Sequence, residues 1–477
     1  MPNNDNGASD FVVNVFQKGS LIGSLRYGKD ADRLLGFQYD SSWLDVPDAT
    51  PISDLFPLTR EEFSGKAVDA FFENFLPEGD RRRFIQMAFH ISTGNTLRLL
   101  AHFGGDTAGD LTFLPAGQEL EAKPRYHQIP EDALNKWFYE AYALPAISLH
   151  GERARASLSG MQAKVALFVD KDGNFFLPVG DAPSSHIIKP APRRETFMPE
   201  AAINEALVMG LAKAIGMNVP ETRFLPQVNA FMVERYDRKA TSDDGLLRLN
   251  QNDLCQILGV TSDRKYEMDG GPAFVDCLRA VERISAHPER DRERLVGWVV
   301  FNLAVGNMDT HAKNLSMLDT GDGWELAPFY DLFCTTVYQA STEFAFRIGG
   351  EFRPEKLTEE HWERFAADVG MTPDELRVLR KKVCARIGQE LPAVCDQLRA
   401  QAATREQHER MVKMVNRVER KILHTSYALY KEARMGAQAQ DAKAEQAPQA
   451  LAVAHAVPSK NAAAPQRPSS PPSRMRM

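Results

Sequence analysis

The stretch GNMDTHAKNLSML, residues 306–318, places Asn307, Asp309, His311, Lys313 and Asn314 between the apolar runs WVVFNLAV and LSML. Burying a polar group without a partner costs free energy, and burying a charge costs more. A fold that accepts this stretch must therefore give those five side chains partners or work. Asp309 and Asn314 stand in D-x-x-x-x-N spacing.

That spacing matches the catalytic loop of protein kinases, where the Asp is the base and the Asn binds metal. Phosphoryl transfer from ATP needs a positive group on the phosphates, hard oxygens on Mg²⁺ and a base near the acceptor hydroxyl. Mg²⁺ usually keeps several waters, so one Asn and one Asp suffice as protein ligands. The spacing alone recurs by chance, so the order of the remaining groups carries the weight. SLSGMQAKVALFVD sets small residues before a strand, and Lys189 ends the apolar strand SHIIKPA. A helix with the carboxylates Glu200 and Glu205 follows, then FMVERYDR, a strand running into a polar hinge. Asp331 in APFYDLF comes last. Each has a bland reading: a snorkelling lysine for Lys189, a helix N-cap for Asp331, a satisfied core histidine for His311. The weakest link is the phosphate loop. Only Gly151 and Gly160 are available, and the G-x-G-x-x-G of protein kinases is absent.

A chain of 477 residues suggests two to three packed units. A net charge of −7 does not advertise nucleic acid over the surface as a whole. No apolar run approaches the roughly 20 residues of a membrane helix. The polar MPNNDNGASD lacks the features of a signal peptide. Cys255, Cys277, Cys334, Cys384 and Cys395 are scattered, with no CxxC, which points to a reducing, cytoplasmic compartment and no structural metal.

FVVNVF, GSLIGSLRYG and RLLGFQYD predict an antiparallel meander. AVDAFFENFLPEGDRRRFIQMAFHIS predicts helix broken near Pro77–Gly79, and 130–144 predicts another helix. AKVALFVDKDGNFFLPV predicts two strands joined by a turn at DKDG. From 251 to about 434 the pattern is mostly helical, interrupted over 309–349, and 405–434 is a long charged amphipathic helix. The expected division is 1–150, a β meander plus helices; 151–240, a small lobe with phosphate loop, lysine strand and hinge; 241–434, a helical lobe with the catalytic and metal-binding loops; and 435–477, a disordered Ala/Pro/Gln/Ser-rich tail.

Taken together, SLSGMQAKVAL, SHIIKP, NEALVMGLAKAIGMNVPET, VERYDR, NQNDLCQILGV, FNLAVGNMDTHAKNLSML and LAPFYDLF resemble the HipA family. These are serine/threonine-protein kinase toxins of bacterial type II toxin–antitoxin systems. LLGFQYDSSWL and FFENFLPEGDRRR resemble that family's N-terminal subdomain, and the resemblance covers about residues 11–430. It implies an α+β, two-lobed protein-kinase-like fold, with small β-rich N-terminal subdomains and a mostly helical C-terminal lobe. It also implies ATP and Mg²⁺ as cofactors, with Asp309 as catalytic base and Asn314 and Asp331 as metal ligands. Lys189 contacts phosphate, with His311 and Lys313 beside ATP, and Glu234, Arg235 and Tyr236 form the hinge that holds adenine. The phosphate loop supplies Ser159, Gly160, Met161, Gln162 and Lys164, with Leu158 alongside. Autophosphorylation at Ser157, with Ser159 a second candidate, ejects the loop and switches the kinase off. The implied partners are a HipB-like helix-turn-helix antitoxin, operator DNA mainly through that antitoxin, and a protein substrate, an aminoacyl-tRNA synthetase of the glutamyl type. No membrane is involved. Met161 and Ala163 depart from the small or Pro/Glu residues expected there, and the 436–477 tail has no counterpart in the family pattern.

The competing readings are a catalytically silent scaffold or co-repressor that binds the antitoxin on DNA, and a small-molecule or lipid kinase. Retention of Lys189, Asp309, Asn314 and Asp331 argues against the first. Absence of a basic membrane-facing segment argues against a lipid substrate. Arg377, Arg380, Lys381, Lys382 and Arg386 form a basic helical stretch, expected as a solvated face with DNA-phosphate contact as the alternative.

Overall fold

The computed structural model describes residues 11–28, 34–92, 94–130, 133, 148–149, 152–153, 164–191, 198–242, 245–338 and 341–454, with 148–149, 152–153 and 436–454 by backbone alone. Strands β1 (Val13–Gln17), β2 (Ser20–Tyr27) and β3 (Leu35–Tyr39) form the expected meander. β4 (Phe63–Ser64) and β5 (Leu111–Pro115) extend it to five antiparallel strands, ordered β4-β3-β2-β1-β5. Helices α1 (Lys66–Glu73) and α2 (Gly79–Ala88) are separated by residues 74–78, near the predicted Pro77–Gly79 break. The helix α3 (Thr96–Phe103), capped by the Asn95 side chain, is an addition to the sequence reading. Edge-to-face contacts among Phe37, Phe56, Phe71, Phe72 and Phe113 fill the core between this sheet and its helices.

The second sheet holds the small lobe. Its strands are β6 (Arg125–Gln128), β7 (Val165–Val169), β8 (Phe175–Val179), β9 (His186–Pro190), β10 (Thr222–Leu225) and β11 (Ala230–Glu234), ordered β10-β11-β9-β7-β8-β6. β7 and β8 are the two strands expected around DKDG. The turn closes on Asp170, whose carboxylate accepts from the Asp172 and Asn174 N–H groups. Helix α4 (Ala201–Ala214) follows β9 and is buried along most of its length. Its apolar face belongs to the core of the helical lobe rather than to that of the small sheet. The helix expected over 130–144 lies outside the described residues, apart from Ala133.

The helical lobe is built on α5 (Leu254–Ile257), α6 (Phe274–Ile284), α7 (Pro288–Val305), α8 (Glu359–Asp368) and α9 (Pro373–Arg399). A three-stranded antiparallel sheet, Gln251–Asp253, Ser316–Asp319 and Trp324–Leu326, adjoins the polar stretch 306–314. By compactness the chain forms one unit over Met1–Ala433 and a second over Arg434–Met477. The last helix, α10, spans Arg405–Ala454 rather than stopping at 434. The tail expected to be disordered from 435 is helical to Ala454, where Ala, Gln, Glu and Lys are good helix formers; 455–477 lie outside the described residues. Among the described residues no helix is long and apolar enough to cross a membrane.

Candidate active site

Helix α7 delivers the polar stretch 306–314 and stops abruptly. Gly306 takes φ +74°, and a Cβ there would meet Thr336 Oγ1 at 2.4 Å, so both the turn and the packing require glycine. The next residues are tied down one by one. Asn307 donates to Asn302 Oδ1 at 2.8 Å, Met308 N–H to Thr335 Oγ1 at 2.8 Å, and Asp309 N–H to Asn307 Oδ1 at 3.2 Å. A 3₁₀ turn over Ala312–Asn314 then folds Asn314 back, and its Nδ2 donates to the Asp309 carbonyl at 2.7 Å. Using the amide nitrogen this way leaves the amide oxygen as the end able to ligate.

Lys189 is the hub of the opposite wall. Its Nζ donates to Glu205 Oε1 at 2.6 Å and to Asp331 Oδ1 at 2.5 Å. The consecutive elements β9 and α4 are thus joined through one ammonium group to the loop after Trp324–Leu326, which lies far along the chain. Asp331 holds φ +58°, an uncommon conformation for a non-glycine residue. Its neighbours supply the constraint: Asn204, one residue before Glu205, donates to the Cys334 carbonyl and accepts from the Cys334 N–H, both at 2.9 Å. Backbone strain held in place by its surroundings is typical of functional sites.

The electrostatics follow from this packing. Burial opposes the ionised form of Asp331, yet Lys189 and Lys164 outweigh it and hold the carboxyl well below the usual range. Burial, then repulsion from Lys189, brings Lys164 down to about 8. Burial raises the Asp309 carboxyl, against the Tyr266 hydrogen bond and Lys265. Burial, then Lys265, drives His311 down to about 3, so its imidazole is neutral beside Asp309, with Nε2 at 3.8 Å from Oδ1.

The structure therefore brings together Lys164, Lys189, Asp309, His311, Asn314 and Asp331. Lys313 turns away from this group. Its three donors are taken by the Asn74 carbonyl at 2.9 Å, Asn74 Oδ1 at 2.6 Å and Asp253 Oδ2 at 2.8 Å, so it braces the loop. Arg235 is likewise a structural group. It is buried against Asp106, Asp237, Ser184 Oγ and the Thr107 carbonyl. The Glu234 and Arg235 N–H groups are used within the fold, by Glu221 O and Ser185 O. The Tyr236 ring stacks on Tyr330, centroids 5.8 Å apart, and the Tyr330 hydroxyl donates to the Lys313 carbonyl, which links the 234–236 segment to the loop of Asp309 and Asn314. Ser157, Leu158, Ser159, Gly160, Met161 and Gln162 lie outside the described residues.

Glu205, read from the sequence as one of two helix carboxylates in the constellation, joins Lys189; it is the only carboxylate in the apolar helix AAINEALVMGLAKA. Glu200 falls outside that helix, at its N-cap, and reaches Arg410 instead. Tyr266 and Asn74 carried no local signal, because their partners lie far along the chain. In the basic stretch, Arg377 and Arg380 point inward. Their side chains are 3% and 1% exposed, both meet Glu359, and Arg380 lies over the Trp362 ring at 4.0 Å.

A family profile described as HipA N-terminal domain matches residues 13–114, and one described as HipA-like C-terminal domain matches residues 156–391. A Sinorhizobium fredii protein named "Putative kinase Y4mE" is 36% identical over 390 residues, 80% of this chain and 91% of its own length. The serine/threonine-protein kinase toxin HipA of Shewanella oneidensis is 28% identical over 388 residues, 78% of this chain and 87% of its own. The solved structure of Shewanella oneidensis HipA with HipB and its operator DNA matches with a TM-score of 0.75 at 24% identity. The match covers 89% of this chain and 98% of that one, a likeness of fold.

Proposed function

The chain belongs to the HipA family, and from that premise we propose that it is a serine/threonine-protein kinase toxin that transfers the γ-phosphate of ATP to a protein hydroxyl. The observation that carries this is the Lys189–Glu205–Asp331 cluster, which joins the consecutive elements β9 and α4 to a loop 142 residues further along and faces the loop of Asp309 and Asn314. An ion-paired lysine held by a helix carboxylate, next to an ionised aspartate, is what phosphoryl transfer needs at the phosphate end.

The donor set fits Mg·ATP. Asp331 is kept ionised, and Asn314 has its amide oxygen uncommitted to Asp309; both are hard oxygen donors that suit Mg²⁺. Bound there, the metal would supply charge neutralisation on the phosphates. Lys189 and Lys164 add positive charge on the same side. Asp309 orients the acceptor hydroxyl and takes its proton. Burial, then Lys265, drives His311 down to about 3, so its neutral imidazole is too weak a base to compete with Asp309 for that proton. The Glu234–Tyr236 backbone borders the adenine. Arg235 stiffens this hinge from behind, and Lys313 stiffens the catalytic loop.

The family resemblance supports the finer reading. The acceptor is an aminoacyl-tRNA synthetase such as glutamyl-tRNA synthetase, and its modification halts translation and growth and favours persistence. Autophosphorylation at Ser157 ends activity, because the added negative charge disfavours a site meant for ATP phosphates. A HipB-like helix-turn-helix antitoxin is the partner, in the cytoplasm, and holds the chain on operator DNA. The inward turn of Arg377 and Arg380 leaves most DNA contact to that antitoxin.

The test is incubation of phosphatase-treated protein with Mg·ATP, wild type beside Asp309→Asn, with phosphosites mapped by mass spectrometry. Phosphate at Ser157 or Ser159 in the wild type alone is expected. Absence of phosphate in both, with no nucleotide binding, would favour the silent scaffold.

A further inference from the structure

Asp309 already has a hydroxyl on it. The Tyr266 OH donates to Asp309 Oδ1 at 2.5 Å, and the Tyr266 ring sits edge-on to His311 with centroids 4.9 Å apart. The segment 262–271 that carries Tyr266 is held at both ends. Ser262 Oγ donates to Glu73 Oε1 at 2.9 Å, and Lys265 Nζ to Glu78 Oε2 at 2.6 Å. The Asp269 and Gly271 N–H groups close onto the Tyr266 carbonyl at 3.1 and 2.9 Å. Gly271 has no room for a side chain: a Cβ would meet the Arg264 carbonyl oxygen at 1.9 Å. Glu267 Oε2 accepts the Arg347 N–H at 2.9 Å. Tyr266 is therefore aimed at Asp309 by a braced turn.

We propose that the Tyr266 hydroxyl occupies the place at Asp309 that an acceptor hydroxyl must take, making Tyr266 a specificity residue that excludes water and admits only acceptors able to displace it. This rests on the kinase reading above. In transfer, the acceptor oxygen bonds the γ-phosphorus while the bond from that phosphorus to the bridging oxygen breaks. ADP leaves, and the acceptor proton passes to Asp309. The acceptor must first donate to an Asp309 oxygen. Tyr266 makes that hydrogen bond within the chain, with no loss of translational freedom. A lone water has only this bond to offer in exchange. A protein acceptor brings further contacts that offset the loss of the Tyr266 bond.

The experiment is phosphate release from Mg·ATP without protein acceptor, for wild type, Tyr266→Phe, Asp309→Asn and the double variant. Tyr266→Phe keeps the ring against His311 and removes only the hydroxyl. Release by Tyr266→Phe should rise about fivefold, the equivalent of one ordinary hydrogen bond, with KM for ATP unchanged. The gain should vanish in the double variant. Tyr266→Leu, which changes the packing on His311, should show the same gain, so a folding defect in one variant does not decide the matter. A wild type that phosphorylates itself while neither Tyr266 variant hydrolyses faster overturns the proposal and leaves the kinase reading intact. A gain that survives Asp309→Asn overturns it as well. If none of these proteins binds or turns over Mg·ATP, the kinase reading falls and the proposal with it.

Discussion

Asp106→Asn removes the carboxylate that ties the α3–β5 loop to the hinge. In the wild type, three guanidinium groups (Arg235, Arg238 and Arg248) face two carboxylates, Asp106 and Asp237. The variant leaves the same three cations with Asp237 alone. The Arg235 and Arg238 side chains are each 2% exposed, so water does not screen the excess. The Asn amide keeps one acceptor but turns an NH₂ toward cations that offer it nothing. Removing one partner of a buried ion pair costs about 3–5 kcal/mol. Asp106 also accepts from Ser184 N–H at 3.1 Å and Ser184 Oγ at 2.6 Å, and loss of charge weakens both bonds. The expected loss is therefore about 4 kcal/mol, a large part of the roughly 5–15 kcal/mol that holds a typical protein folded. Urea unfolding followed by circular dichroism reads it. The pH dependence gives an independent check. Burial alone would raise the Asp106 carboxyl, but the three arginines outweigh it and hold it below the usual range. Its contribution is then fully present above the unfolded pKa of about 4 and is lost as pH falls below that. Wild-type stability should fall steeply on acidification, and Asp106→Asn less steeply. A loss below about 1 kcal/mol, the range of an exposed pair, would refute the claim that this cluster is sealed and structural.

Lys189→Met leaves Glu205 and Asp331 facing each other without their shared cation; the autophosphorylation rate, followed with radiolabelled ATP, should drop about 100-fold or more, and an unchanged rate would remove Lys189 from the site. Asn74→Ala takes Oδ1 from Lys313 and costs about 1.5–3 kcal/mol. In a double-mutant cycle with Lys313→Met the two losses should overlap, and additivity within about 0.5 kcal/mol would show that the contact carries no energy. Asp110 has the opposite character to Asp106: burial lifts its carboxyl to about 6, against the Gln17 hydrogen bond and the charge of Lys18. The folded state keeps a proton that the unfolded chain gives up between about pH 4 and pH 6, so stability falls with rising pH through that window. Asp110 Oδ2 and Gln17 Oε1 are both buried without partners, as expected where a protonated carboxyl or an amide belongs. Asp110→Asn should therefore stabilise by about 2–3 kcal/mol at pH 8 and by little at pH 4, read from urea midpoints at the two values.

What was legible in the sequence is what local pattern and fixed spacing encode. The meander, the DKDG hairpin and the α1–α2 break follow from alternation and from Pro and Gly within a few residues. Asp309, Asn314, Lys189 and Asp331 were legible because each is a polar residue interrupting an apolar run, where burial without purpose would be costly. Lys313 has the same local signature and a different role. Nothing around residue 313 says that its ammonium meets Asn74, because that contact closes a loop through the whole small lobe. Arg235 repeats the point. It reads as a hinge residue, but its side chain answers to Asp106 on another sheet's loop. A charged residue in an apolar run therefore announces that it has a partner and stays silent on which. For Lys189 the partners are catalytic candidates, and for Lys313 and Arg235 they include the N-terminal groups Asn74 and Asp106. The N-terminal subdomain thus reaches both ends of the proposed ATP site, the 234–236 segment through Asp106 and the loop of Asp309 and Asn314 through Asn74. Changes at those two positions should alter ATP KM and phosphoryl transfer although neither residue is placed among the catalytic groups.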